Sequence, residues 1–124
     1  VRIGFVPAIV MVFLLRKVGE GRAKQLLLGG PVINAEQALT MGLVHYVSDK
    51  ENLERDVDAF ARQLIETNSA YAMAVTKQMI AKVQSLPLDE ALAFASEMNA
   101  KARGSADCKR GIAAFLKKEK ITWN

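Results

Sequence analysis

The sequence predicts a mainly α-helical chain, and three observations carry that expectation. Apolar residues recur at helical spacing in three stretches: Leu53, Val57, Phe60, Ala61, Leu64 and Ile65; Leu88, Ala91, Leu92, Ala95, Met98 and Ala102; and Cys108, Ile112, Phe115 and Leu116. Each series lays an apolar stripe along one helix face. Ser48 with Glu51 precedes the first stretch, Pro87 the second and Ser105 the third, and Gly104 closes the second, as helix starts and stops do. Strand-like runs are scarce. Only residues 43–47 (LVHYV) and the first few residues qualify, too few for a stable sheet.

Residues 1–5 are β-branched at the start with Gly4 inside, which reads as a strand end or a turn. Pro7 suits the first helical position, where its missing N–H costs nothing. Residues 8–18 then form a helix apolar on nearly all sides, which predicts burial on nearly all sides. Gly19 and Gly21 interrupt it, because glycine takes positive φ cheaply, and residues 22–28 resume as a short helix ended by Gly29-Gly30-Pro31. Asn34 with Gln37 has the spacing of a capping box, opening a helix to about Met41 that Gly42 ends. Ser48 with Glu51 repeats the pattern before the next helix. Asn68 or Ser69 caps a helix from Ala70 to about Gln84, Leu86-Pro87 breaks it, and Ser105 caps the last one. No repeat, low-complexity segment or linker interrupts the series.

At 124 residues the chain has one domain's length, with room for a modest core. It is 51% hydrophobic and 24% charged, so it is ordinary globular composition rather than a disordered chain. The apolar run of residues 5–15 contains Pro7 and falls well short of the roughly 20 residues that span a bilayer. One arginine, Arg2, precedes it, and it ends in Leu14-Leu15-Arg16 rather than a small-residue cleavage site, so neither a membrane span nor a targeting segment is expected. Cys108 is the single cysteine and His45 the single histidine. That leaves no intramolecular disulfide and no zinc set, and it fits a reducing compartment, the cytoplasm.

The formal net charge is +4, with the excess late in Lys101, Arg103, Lys109, Arg110, Lys117, Lys118 and Lys120. Such a tail meets nucleic acid, a membrane surface or a phosphorylated small molecule, or is simply a solvated helix face. Aromatic residues are not interleaved as a stacking platform would need, which speaks against single-stranded nucleic acid. His45 sits between Val44 and Tyr46 as a half-exposed strand position, and Cys108 reads as a small core residue. No triad order, phosphate loop or pair of carboxylates at catalytic spacing is present. By these residues alone the chain is a basic helical domain.

The order of motifs adds a resemblance. The series IGFVP, then GRAKQLLLGGPVINAEQALTMGLVHYV, then CKRGIAAFLKKEK resembles the C-terminal half of the crotonase (enoyl-CoA hydratase/isomerase) superfamily along essentially the whole chain. The resemblance implies the C-terminal helical part of a ClpP/crotonase-like α/β spiral fold. Residues 1–30 would be the end of the core spiral with the helices at the active-site seam, and residues 31–124 the helical trimerisation region. In the family, backbone N–H groups form an oxyanion hole for the thioester and two glutamates add water across the C2–C3 double bond. The oxyanion donors and the first glutamate align upstream of Val1, and the second glutamate aligns just before it. The resemblance therefore places no catalytic residue in this chain and implies that the chain alone is inactive.

What it does carry over is a binding set. Phe115 and Lys118 match residues that meet the adenine and phosphates of CoA, often from a neighbouring subunit. Phe5, Pro7 and Ala8 match the vicinity of the acyl pocket. After Pro7 most hydratases read Gly-Ala-Gly-Gly-Thr, whereas this chain has Ala8-Ile9-Val10-Met11-Val12, which resembles a bacterial subgroup near methylglutaconyl-CoA hydratases. Isomerases of the family often place a carboxylate here. Residues 5–12 have none, which favours hydratase over isomerase. The resemblance further implies fatty-acid or other acyl-CoA metabolism, a homotrimer or hexamer, a CoA thioester as substrate rather than a cofactor, and neither nucleic acid nor membrane as partner. The alternative is an independent basic helical module for interaction or nucleic-acid binding.

Overall fold

A computed structural model of the chain describes residues 1–123. It contains six helices: α1 (Ala8–Gly29), α2 (Ala35–Thr40), α3 (Leu53–Thr67), α4 (Ala70–Val83), α5 (Leu88–Arg103) and α6 (Ala106–Lys117). They fall into two compact units, Val1–Leu53 and Glu54–Asn124.

In the first unit the chain opens on a tight turn, Gly4 N–H donating to Val1 O at 3.0 Å. Pro7 is the N-cap of α1 rather than its first residue, with ψ at 56°. At Gly19 the backbone takes φ 75°, ψ 170°, a conformation open essentially to glycine. It breaks α1 into two helical runs, and the second resumes immediately after it, with Gly21 inside. Arg22 Nη1 donates to Met41 O at 2.7 Å, tying α1 to the end of α2. The Asn34–Gln37 capping box forms in full: Gln37 N–H donates to Asn34 Oδ1 at 2.8 Å, and Asn34 N–H to Gln37 Oε1 at 2.9 Å.

Two expectations for this unit do not hold. Residues 43–47 form no strand; they run as turns and irregular chain. β-propensity is realised only against a pairing edge, and what this segment meets is α1, where Lys17 Nζ lies 3.4 Å from His45 Nε2. Ser48 and Glu51 do not cap α3, which begins only at Leu53 after a turn closed by Asn52 N–H on Asp49 O at 2.9 Å.

In the second unit α4 packs on α5 and α5 on α6. The N-cap serines behave as their positions predict. Ser69 Oγ accepts from Ala72 N–H at 3.0 Å and Ser105 Oγ from Cys108 N–H at 3.1 Å. Both helices gain a partner for an otherwise unpaired amide.

Burial departs furthest from expectation. Ala23 is the sole buried apolar residue among those described, and Ile9, Phe13 and Val57 are 78%, 66% and 56% exposed. The accessible surface is 10179 Å², against about 6,600 Å² for one globule of this mass and about 7,900 Å² for two of half the mass. The helical stripes form, and large apolar residues on α1 and α3 stay exposed, whereas Ala91, Ala95, Met98 and Ala102 of α5 are half-buried. These 124 residues are therefore expected to raise ANS fluorescence strongly and to elute as more than a monomer in size-exclusion chromatography. A monomer that leaves ANS dark would show that the faces pack among themselves in solution.

Candidate functional site

The last turn of α6 and the tail after it hold Phe115 and Lys118, the residues expected to meet CoA. Phe115 lies in that last turn, and Lys118 is the C-cap residue that follows the helix end. Phe115 is 82% exposed. Its ring offers a flat apolar surface to a planar base, and an ammonium three residues on offers a point charge to phosphate.

Lys118 is held in an unusual way. It is the one non-glycine residue with positive φ among those described, at φ 58°, ψ 32°. A left-handed C-cap normally belongs to glycine. Here the Lys118 N–H donates to Phe115 O at 3.1 Å and the Glu119 N–H to Ala114 O at 2.9 Å, satisfying carbonyls that the helix end would otherwise leave free. The turn sends the tail back along α6. Trp123 ends up against Gly111, where an added Cβ would sit 3.5 Å from Cη2, and the Arg110 guanidinium lies 5.2 Å from the ring centroid. Between these two points the tail stands off the helix around a cavity of about 330 Å³, with Arg110, Lys120 and Glu119 among its lining residues.

The other sequence-predicted residues lie in the first unit. Phe5 is 71% exposed, Pro7 is half-buried, and Ala8 begins α1 with its N–H on Val6 O at 2.8 Å. The candidate residues thus form two clusters, one in each unit. Cys108 is free and half-buried. With Met73, Ile112 and Trp123 it lines a largely apolar concavity of about 760 Å³.

Two relationships escaped sequence reasoning. Ser69 Oγ, besides capping α4, donates to Asp107 Oδ2 in the first turn of α6, and Trp123 docks on α6. The chain's single tryptophan and the lone glycine inside α6 were the available signals for the second. For the first there was none, because a cap explained Ser69 by itself. Among the described residues no three of His, Cys, Asp and Glu come together as a metal cluster, and no helix is long and apolar enough to cross a membrane.

Comparison with known proteins places this geometry in context. The family model for enoyl-CoA hydratase/isomerase matches residues 1–124. A short-chain-enoyl-CoA hydratase of Clostridium acetobutylicum is 35% identical over 108 residues, 87% of this chain and 41% of the relative. A 1,2-epoxyphenylacetyl-CoA isomerase of Escherichia coli is 33% identical over 118 residues, 94% of this chain and 45% of the relative. Among solved structures, an enoyl-CoA hydratase of Geobacillus kaustophilus superposes with TM-score 0.79 at 31% identity, covering 92% of this chain and 43% of that one. One from Bacillus anthracis gives TM-score 0.84 at 26% identity, covering 98% and 47%. The chain spans a little under half the length of the curated relatives it matches.

Proposed function

We propose, because this chain belongs to the enoyl-CoA hydratase/isomerase family over residues 1–124, that it is the CoA-binding helical part of an enzyme that adds water across the C2–C3 double bond of an enoyl-CoA. The match along the whole chain is the observation that carries this reading. Its helices are the C-terminal helical part of the crotonase fold. The exposed apolar faces of α1 and α3 support a larger assembly, since that much uncovered surface needs a partner. In this reading they meet the rest of the enzyme and neighbouring subunits of a cytoplasmic homotrimer or hexamer.

The chain's own residues then bind and orient. Phe115 stacks on the adenine, and Lys118 pairs with a phosphate of CoA. Phe5, Pro7 and Ala8 stand near the acyl group, and the side chains from Ile9 to Val12 narrow the space beside it and exclude water. Residues 5–15 bring no carboxylate to the acyl group, and in this reading the acid and base that handle the water belong to the rest of the enzyme. That same feature favours hydration over double-bond migration, which needs a base placed over the acyl chain. The left-handed backbone at Lys118 supports its assignment. A lysine there costs about 1 kcal/mol relative to glycine, so this chain places a charged side chain where the backbone conformation favours glycine.

The test uses the intact enzyme with crotonyl-CoA. Hydration, followed as loss of enoyl absorbance, is expected. Lys118→Glu should raise KM about ten-fold with kcat held, the loss of one charge-assisted contact. Lys118→Gly should also raise KM while stabilising the fold by about 1 kcal/mol. An unchanged KM in both variants would remove Lys118 from the CoA site, and an intact enzyme that only migrates the double bond would make it an isomerase.

A further inference from the structure

Neither Phe115 nor Lys118 is held by packing of its own side chain. Phe115 is 82% exposed and Lys118 projects from the helix end into solvent. Their orientation is set by the backbone, and that backbone takes a conformation a lysine disfavours. A disfavoured residue conformation persists only where surrounding structure over-determines it. The cap hydrogen bonds from Lys118 and Glu119 satisfy the helix end but form as readily around a glycine, and they do not anchor the tail beyond the turn.

The anchor lies five residues further on. Trp123 rests on Gly111 with its ring under the Arg110 guanidinium, whereas residues between it and the turn border an open cavity. The tail is thus fixed at its two ends, the left-handed turn and the indole. Freeing the indole would leave a strained turn with no restraint on one side, and the last turn of α6 would fray.

We propose that Trp123 is a positioning residue: by docking on Gly111 and Arg110 it holds the left-handed turn at Lys118, and so fixes Lys118 and Phe115 for the phosphate and base of a CoA thioester. The proposal rests on the reading of Phe115 and Lys118 given above. Trp123 touches no substrate in it, so its removal acts on recognition of the nucleotide end alone. A thioester lacking that end, crotonyl-pantetheine, should be indifferent to it.

The experiment compares KM and kcat of the intact enzyme for crotonyl-CoA and crotonyl-pantetheine. Trp123→Ala is expected to raise KM for crotonyl-CoA about five-fold, leaving its kcat and both constants for crotonyl-pantetheine unchanged, while Trp123→Phe retains most of the wild-type affinity. If Trp123→Ala does not fold, Gly111→Val pushes the ring off the helix with the indole still present and should show the same selectivity. An unchanged KM for crotonyl-CoA, or an equal rise for both thioesters, overturns the proposal. Lys118→Glu on the same pair separates the two levels. If it is selective for the CoA thioester while Trp123→Ala is silent, only the anchor falls. If Lys118→Glu is silent, or the wild type turns over neither thioester, the underlying reading falls as well.

Discussion

Given crotonyl-CoA, the 124 residues alone are expected to leave the enoyl absorbance unchanged. Adding water to an enoyl thioester takes a base and an acid within hydrogen-bond reach of one water, together with fixed donors where charge develops on the thioester oxygen. Losing a positioned acid–base pair and an oxyanion donor together costs about ten-thousand-fold or more in rate. The carboxylates whose partners are defined serve other ends. Glu20 pairs with Lys24 and Asp56 with Arg55, and Asp107 accepts from Ser69. Glu97 accepts a hydrogen bond from Lys101, and that bond, with the lysine's charge, holds its carboxyl below the usual range. A carboxylate made less basic in this way is a poorer proton acceptor. Measurable turnover by these residues above the uncatalysed rate would mean that a base among them has been misjudged.

The largest effect on folding is expected at Ser69. Its hydroxyl accepts from Ala72 N–H at the start of α4 and donates to the Asp107 carboxylate at the start of α6, and the residue is only 6% exposed. Ser69→Ala removes an N-cap worth about 1 kcal/mol and a hydrogen bond to a charged group worth about 1.5 kcal/mol or more. For a unit of this size the combined loss lowers Tm by about 15 °C. Ser69→Thr, which keeps the hydroxyl, should recover most of it. Circular dichroism at 222 nm reads both. Equal melting temperatures for Ser69→Ala and the wild type would show that α4 and α6 are held by packing alone.

These two residues mark how far the sequence could be read. Ser69 announces a helix start because capping is a local matter of one side chain and the amide three residues on. Asp107 as its second partner is invisible at a separation of 38 residues. The same division applies to the binding set. Phe115 and Lys118 were singled out through motif resemblance alone, and the left-handed turn under Lys118 was not legible, since lysine carries no signal for it. The docking of Trp123 against Gly111 was not legible either, because it depends on the turn that brings the tail back. In the other direction, residues 43–47 looked like a strand because their side chains suit one, and failed for want of an edge to pair with.

By itself, then, the sequence determined what depends on neighbours a few residues away. That covers the six helices, the capping box at Asn34, the break at Gly19, the caps at Ser69 and Ser105 and the family motifs. Tertiary structure alone decided which ends meet and which faces stay bare: Ser69 with Asp107, Arg22 with the Met41 carbonyl, Trp123 with Gly111, and the apolar surfaces of α1 and α3. The physical reason is one of range. Periodicity and capping act through a turn or less of chain, whereas burial depends on whatever else occupies the space around a face.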